Sequence, residues 1–535
     1  MLTIASASSA VCRCYRAPLR QRWGPTDDPA LDAALDAALA ATADAATADA
    51  ALATVDAAAA DAALDTLGAL SMTTSRRPRV TRPPMEMRTL TIASLAAGGD
   101  GVARDESIDG DSAAGRDRGR VTFVPRTAPG DRVRVRLTQV TKSFARAELV
   151  AIEEPSADRV DPVCPHVARG CGGCAWQHVS RPAQLAAKQA IVANALRRLV
   201  GASPPLTLHP IEDPAPPLGW RRRARFHVAR GQIGLYVDSS HTILPIDRCP
   251  QLEPALDAAL AAVRAASPPD GELSLLLGFR GDIVVGVARP WKLAGTLVGT
   301  AGIVGVVVGS GHAAEASGAV ADSGSVAASG SVAATGAGVG MIELEPGLWG
   351  GPHDFAQASA AGNAALIART RTALGVAPVA ATTSQPLLVE LYAGAGNLTR
   401  AFIEDGWRVL ATDGVAPMRM SETSSSTSKA SSAVKGSLLE HRVGAVADVL
   451  ATIDGHVDAV VLDPPRAGAA DAIDGIVRLT PRVIVYVSCD PATLARDLEK
   501  LVGAGYRAID AWPIDLMPQT SHVEVVVRLE RDTTS

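Results

Sequence analysis

Apolar and polar residues alternate with a period of two through RVTFVPRTAPGDRVRVRLTQV, on both sides of a Pro-Gly pair. That pattern predicts strands joined by a turn, and residues 88–153 read as β throughout. Around 181–200 the spacing changes to that of one amphipathic helix. Strand-like alternation returns over 220–247, in RARFHVARGQIGLYV. From 387 onward, apolar strands alternate with helical stretches, which predicts a doubly wound α/β domain. Three tracts break the pattern: an Ala/Asp-rich tail over 1–80, a Gly/Ala/Ser/Val tract over 300–340 and a Ser-rich stretch at 421–432. The tail lacks an apolar stripe and reads as dispensable, with Met72, Met85 or Met87 as alternative starts. The 300–340 tract reads as a loop insertion.

Length and charge narrow the class. A chain of 535 residues, 47% apolar, supports several domains and a large core. It has no long uncharged apolar run, and Arg13, Arg16, Arg20 and Arg22 are not followed by an apolar segment, so neither a membrane span nor a secretory leader is expected. The net charge of −5 conceals local basic patches. Residues 116–146 carry nine Arg or Lys against two Asp, and Arg221, Arg222, Arg223, Arg225 and Arg230 form a second cluster. Such patches suit phosphate binding, although a solvated charged face is the alternative.

Seven cysteines without a secretory leader point to a reducing, cytoplasmic setting, where clustered thiols suggest a metal site. Cys164 is followed by Cys171-Gly172-Gly173-Cys174, and Cys249-Pro250 lies 75 residues further on. Three close thiols and one distant Cys-Pro suit an iron–sulfur cubane, but spacing alone leaves zinc and no ligand open. Cys12 and Cys14 lie in the tail and are assigned nothing.

The C-terminal third carries the chemistry. LLVELYAGAGNLTR is a strand, a glycine turn and a helix start, a place where a nucleoside cofactor can approach the backbone. No third glycine follows at dinucleotide-binding spacing, and Asp413 ends the next strand, where it can accept ribose hydroxyls. Both favour S-adenosylmethionine over a nicotinamide cofactor. A later strand end at Ala447-Asp448 is expected to receive the adenine amino group. Three further strand ends follow: Asp463 in LDPPRAG, Cys489 in VSCDP and Glu524 in PQTSHVE. A thiol beside a methyl donor suits methylation of uracil carbon 5, which is inert until a thiolate adds at carbon 6. A base must then remove the carbon-5 proton. Cys489 suits the nucleophile, Glu524 the base, and Asp463 a group that positions pyrimidine, cofactor or thiol. A buried inert thiol is the alternative for Cys489 alone.

Over roughly 86–535 the chain resembles the RNA (uracil-5-)-methyltransferases with an N-terminal TRAM domain and a [4Fe–4S] cluster, most closely their 23S rRNA branch. The resemblance rests on GGDGVAR, FVPRTAPGDRV, the CGGC block, RRRARFHV, PIDRCP, DFAQ, LYAGAGN, LDPPRAG, VSCDP and PQTSHVE. It implies cofactor contacts at Gln357, Tyr392, Asn397, Asp413, Asp448 and Asp463, a nucleophile at Cys489 and a base at Glu524. It also implies cluster ligands at Cys164, Cys171, Cys174 and Cys249. The gap from Cys164 to Cys171 is one residue longer than the usual pattern, and Ser359 stands where an Asn is usual.

The expected architecture is therefore α/β. A tail (1–85) precedes an OB-like TRAM β-barrel (86–153), an iron–sulfur central domain (154–345) and a Rossmann-like S-adenosylmethionine-dependent methyltransferase domain (346–535). The expected partner is RNA, 23S rRNA ahead of tRNA, with no membrane and no obligate protein partner. Two other readings compete: a methyltransferase acting on base nitrogen or protein, which would not need Cys489, and an iron–sulfur RNA-binding protein with an inactive methyltransferase domain.

Overall fold

The computed structural model describes residues 86–104, 120–202, 205–309, 337–377, 385–414 and 438–532. The Ala/Asp-rich tail, most of the 300–340 tract and the Ser-rich stretch at 421–432 lie outside these residues. No helix among the described residues is long and apolar enough to cross a membrane.

The N-terminal alternation forms β1 (Met87–Leu95), β2 (Gly101–Arg104), β3 (Val121–Val124), β4 (Arg132–Val140) and β5 (Phe144–Glu154), closed as a barrel in the order β1-β2-β3-β5-β4. Closure buries the inward set, including Leu90, Ile92, Val133, Val135 and Leu137, and removes every free edge. The Pro-Gly turn needs a left-handed residue, and Gly130 supplies it at φ +86°. Asp131 locks that turn: its buried carboxylate accepts from the Ala128 and Ser156 amides and pairs with Arg159 at 2.6 Å. The outward arginines of β4 are less free than the sequence suggests. Arg132 pairs with Glu154 at 2.9 Å, and Arg136 pairs with Glu148.

The stretch over 181–200 is one helix, Arg181–Ala195, and a separate turn, Arg197–Val200. Short β6 (Thr207–Leu208) follows. A seven-stranded sheet comes next, built from β7 (Arg223–Ala229), β8 (Gln232–Tyr236), β9 (Ile243–Pro245), β10 (Gly271–Leu277), β11 (Ile283–Val287), β12 (Ile303–Val308) and β13 (Ala337–Gly338). Its order is β13-β12-β11-β10-β7-β8-β9. The start of the 300–340 tract is thus no loop: β12 pairs in parallel with β11, and Ile303 and Val306 are core residues. A Val-rich run buried on a sheet reads as low complexity because it does not alternate. The helix Pro254–Ala265 packs on one face. The hairpin β14 (Ile342–Glu345) and β15 (Leu348–Gly350) packs on the other, over Leu276 and Val284.

The last sheet has eight strands in the order β18-β17-β16-β19-β20-β22-β21-β6. They are β16 (Leu387–Leu391), β17 (Arg408–Asp413), β18 (Leu439–Val443), β19 (Ala459–Leu462), β20 (Val483–Ser488), β21 (Tyr506–Ile514) and β22 (Glu524–Arg531), completed by β6 from the middle of the chain. Strands β16 to β20 are parallel; β16, β19 and β20 are buried on both faces, as their apolar runs require, while β18 at the edge is half-exposed. The chain winds one way from β16 to β18 and the other way from β19 to β20. The switch falls between β16 and β19, where open α/β sheets bind ligands.

Candidate active site

Five expected site residues gather at the carboxyl ends of these strands. Asp413 is the last residue of β17, Asp463 follows β19, and Cys489 follows β20. Glu524 opens β22. Because Ser488 pairs with Val525 in antiparallel register, Cys489 stands across the ladder from Glu524. Tyr392 follows β16 with φ +60°, an unfavourable conformation for a bulky residue, and leads into the glycine turn. There Gly394 donates its amide to the Asp413 carboxylate at 2.9 Å, and a side chain at Gly394 would meet only open space. A glycine turn tied to an acidic strand end and open on its outer side fits a nucleoside cofactor.

The segment Ser-Cys-Asp-Pro is built to present the thiol. Asp490 caps the helix Pro491–Gly503, accepting from the Ala492 and Thr493 amides at 2.9 and 3.0 Å, with Pro491 in the first turn. Ser488 Oγ accepts from the Asp490 amide at 3.2 Å. The DPPR loop is held from the same helix: Asp497 accepts from the Ala469 amide at 2.8 Å and from the Tyr486 hydroxyl at 2.8 Å. Gly468 is required there, since a Cβ would sit 2.5 Å from both Asp497 and Arg496 side chains.

The electrostatics of the group are those of a buried acid cluster around one cation. Burial pushes the Cys489 thiol up to about 11; Glu524 and Asp463 push the same way, and Arg466 opposes them. Burial, then Asp463, raises the Glu524 carboxyl well above the usual range, again against Arg466. Burial also raises Asp463 to about 7. At neutral pH the thiol is therefore protonated before substrate enters.

The sequence reading missed several residues that complete this site. Glu390, inside the apolar strand β16, is fully buried and pushed up to about 8 by burial, while Thr399 Oγ donates to it at 2.6 Å. A lone Glu in LLVEL was the available signal. Asn363 exchanges hydrogen bonds with Asn397, at 2.7 and 3.0 Å, and donates to Glu345 at 3.0 Å. Glu345 pairs with Arg222 at 2.8 Å, and Arg222 donates to the Gln357 carbonyl at 3.0 Å. Gln357 and Asn397 are thus joined through Asn363 and Glu345, which no motif marked, and Arg222 of the RRRARFHV segment. Ser359 instead caps the helix Ala360–Leu374.

Asp448 needs correction. It does not end a strand: β18 stops at Val443, and Asp448 is an exposed residue in the first turn of the helix Val446–Ala451. An acidic residue there complements the helix dipole, so its position has a local structural cause.

The four expected cluster cysteines converge. Cys171, Cys174 and Cys249 are raised first by burial, Cys174 to about 12; the charge of Cys164 raises all three further, and Cys171 and Cys249 add to Cys174. Arg221 opposes this at Cys174 and Cys249, and the backbone at Gly173 and Gln251 hydrogen-bonds the Cys171 and Cys249 sulfurs. Among the described residues no three His, Cys, Asp or Glu side chains form a single-ion site. Mutually facing thiols with backbone amides and one cation are a donor set compatible with a larger thiolate-bound group.

The cysteine loop and the Glu524 loop are physically joined. The Trp176 amide donates to the Gln519 carbonyl at 3.0 Å, and Gln184 exchanges bonds with Gln519 at 2.9 and 3.1 Å. Lys188, fully buried, pairs with Asp515 at 2.6 Å and donates to the Met517 carbonyl at 3.1 Å.

This strand order, glycine turn and acidic strand end define an S-adenosylmethionine-dependent methyltransferase fold. Comparison with known proteins agrees. Residues 86–150 match the TRAM domain model, and 445–532 match the tRNA (Uracil-5-)-methyltransferase model. An RNA methyltransferase of Gloeobacter violaceus is 32% identical over 83% of this chain and 96% of its own. The 23S rRNA (uracil(1939)-C(5))-methyltransferase RlmD of Alkalilimnicola ehrlichii is 31% identical over 85% of this chain and 99% of its own. The crystal structure of Pyrococcus abyssi tRNA (uracil-54, C5)-methyltransferase with S-adenosyl-L-homocysteine shares the fold, with a TM-score of 0.58, 21% identity and coverage of 83% and 100%. The chain belongs to the RNA (uracil-5-)-methyltransferase family, whose members are S-adenosylmethionine-dependent enzymes.

Proposed function

We propose that the protein methylates carbon 5 of a uracil in 23S rRNA through a covalent adduct on Cys489. The observation that carries this reading is the cross-strand placement of half-buried Cys489 and buried Glu524 beside Asp463 and Arg466. Cys489 releases its proton to solvent and its sulfur adds to carbon 6, the ring electrons moving onto the carbon-4 oxygen as an enolate and making carbon 5 nucleophilic. S-adenosylmethionine, when bound, supplies an electrophilic methyl group to carbon 5. Glu524, ionised by then, takes the carbon-5 proton, and the electrons of that bond expel the sulfur from carbon 6. Arg466 favours the anionic forms of both groups. Asp463, with its pKa near neutrality, serves as a hydrogen-bonding group to the pyrimidine. Gln357, Tyr392, Asn397, Asp413 and Asp448 would hold the methyl donor, Asp448 from the first turn of its helix.

In the same proposal, Cys164, Cys171, Cys174 and Cys249 hold a [4Fe–4S] cluster that staples the loop bearing Trp176. The reaction as written is redox-neutral, so the cluster is assigned a structural role. The 23S rRNA assignment is supported by the relatives named RlmD; the archaeal tRNA enzyme supports only the fold. The deciding experiment incubates the protein and S-adenosylmethionine with 5-fluorouracil-substituted 23S rRNA and tRNA transcripts. Carbon-5 fluorine cannot leave as a proton, so the adduct should accumulate on the 23S transcript at Cys489. Trapping on tRNA alone would transfer the substrate, and trapping on neither would remove the mechanism.

A further inference from the structure

The outer face of β7 carries chemistry that the active site does not use. Ala224, Phe226 and Val228 point into the core, so Arg223, Arg225 and His227 line the opposite face. The β14–β15 hairpin covers that face over β10 and β11. At the β7–β8 side the rings of His227 and Tyr236 stack with centroids 3.9 Å apart and planes 24° apart. Tyr236 also meets His241 edge-on at 5.5 Å. Tyr236 is 37% exposed, so this is not core packing. The three rings line an open cavity of about 550 Å³, together with Gly172 and Gly173 of the cysteine loop.

The glycine wall follows from close backbone approach. The Gly172 amide donates to the Tyr236 carbonyl at 3.0 Å, and a Cβ there would lie 3.2 Å from that carbonyl and from Asp238 Cα. A side chain would push the loop off the strand. The result is a ring-lined slot with a bare wall, sized for a planar ligand. Cations stand outside it, on the same face of β7 as His227. Arg225 is exposed and 3.3 Å from Glu272, Arg223 lies over the Phe355 ring at 5.9 Å, and Asp238 is the acidic group on the rim. At about 3.3 Å per residue, the row from Arg223 to His227 spans about 13 Å. Arginines interleaved with exposed rings are the surface that single-stranded nucleic acid requires.

We propose that this cleft stacks an unpaired nucleobase of the substrate RNA on Tyr236 and His227, with Arg223 and Arg225 meeting the phosphates that lead toward Cys489. The proposal rests on the RNA-methylating reading above. It is tested by fluorescence titration of the full chain with labelled poly(U) and a labelled 23S rRNA transcript across a salt series. Tyr236→Ala should weaken both by about tenfold without changing the salt slope, because stacking is not ionic. Tyr236→Phe should bind as the wild type does. Arg225→Ala should lower the slope of log affinity against log salt by about one. Calorimetric affinity for S-adenosylmethionine should be unchanged in all three, reporting an intact fold. Wild-type affinity in Tyr236→Ala, or equal losses in the Ala and Phe variants, would overturn the cleft while leaving the methylation reading in place. Failure of the wild-type protein to bind either RNA would remove both.

Discussion

Two thiol environments in this molecule are raised by the same burial and differ in their neighbours. Cys489 stands alone among carboxyl groups, with Arg466 and a backbone hydrogen bond opposing their influence. Cys164, Cys171, Cys174 and Cys249 stand among one another, with Arg221 beside two of them and backbone groups bonded to two sulfurs. A lone thiol among acids can exchange its proton with a base and return to its starting state, which is what a turnover needs. Four thiols that repel one another as anions gain by sharing a cationic group, which is what a permanent ligand set needs. The difference lies in the kind of neighbour, carboxyl groups that can exchange a proton against thiols that can share a ligand, since burial and the signs of the nearby charges are common to both.

The largest test of that contrast is removal of each thiol. Cys489→Ala should lower methyl transfer on the order of a thousandfold or more, with calorimetric binding of S-adenosylmethionine retained. Full activity in that variant would favour a methyltransferase acting on a base nitrogen or on protein. Glu524→Gln comes next. It should slow turnover by roughly a hundred- to ten-thousandfold, and it should leave RNA covalently attached to Cys489, visible as a shifted band that protease digestion releases. Turnover without such a band would show that another group takes the proton. The same variant sharpens the electrostatic side: alkylation of Cys489 by iodoacetamide, followed by peptide mass spectrometry, should titrate near 11 in the wild type and at lower pH in Glu524→Gln.

The two regions are coupled through Lys188 and Asp515, both fully buried. Lys188→Met leaves Asp515 with Arg181 alone, so a cost near the lower end of about 3–5 kcal/mol is expected in urea unfolding. Iron chelation should act more mildly and at a different step. Loosening the Gly172 wall should raise the KM for RNA by about tenfold while kcat per bound RNA holds. A kcat loss with unchanged KM would place the cysteine loop in the chemistry itself.

How much of this was legible depends on whether a residue's role is local. Asp413, Asp463, Cys489 and Glu524 sit at strand ends, and a strand end can be read from an apolar run that stops. The barrel was legible for the same reason, since alternation around Gly130 is a local signal. Asp448 misled because an acidic residue after an apolar stretch looks alike whether it ends a strand or opens a helix. The links Gln184–Gln519 and Lys188–Asp515 cross more than 300 residues, and no periodicity encodes such a pairing. Burial hid others: β12 lacks alternation because it is covered on both faces, and Arg132 and Arg136 look like free cations until their cross-strand partners on β5 are seen.

Glu390 separates stability from chemistry. Its folded pKa of about 8 lies above its ordinary value of 4.5, so the folded chain keeps a proton that the unfolded chain loses first. Stability from this group is complete below pH 4.5 and declines as pH rises, until the loss ends near 8. Gln keeps an oxygen to accept from Thr399 and carries no ionisable proton. Thermal unfolding of Glu390→Gln followed from pH 5 to 8 should therefore show a flatter decline than the wild type, with the variants nearly equal at the acid end. Asp463, raised to about 7, should leave a residual slope. Parallel curves for the two proteins would mean that Glu390 is ionised in the fold, and the acid cluster would then carry a charge that its surroundings must neutralise.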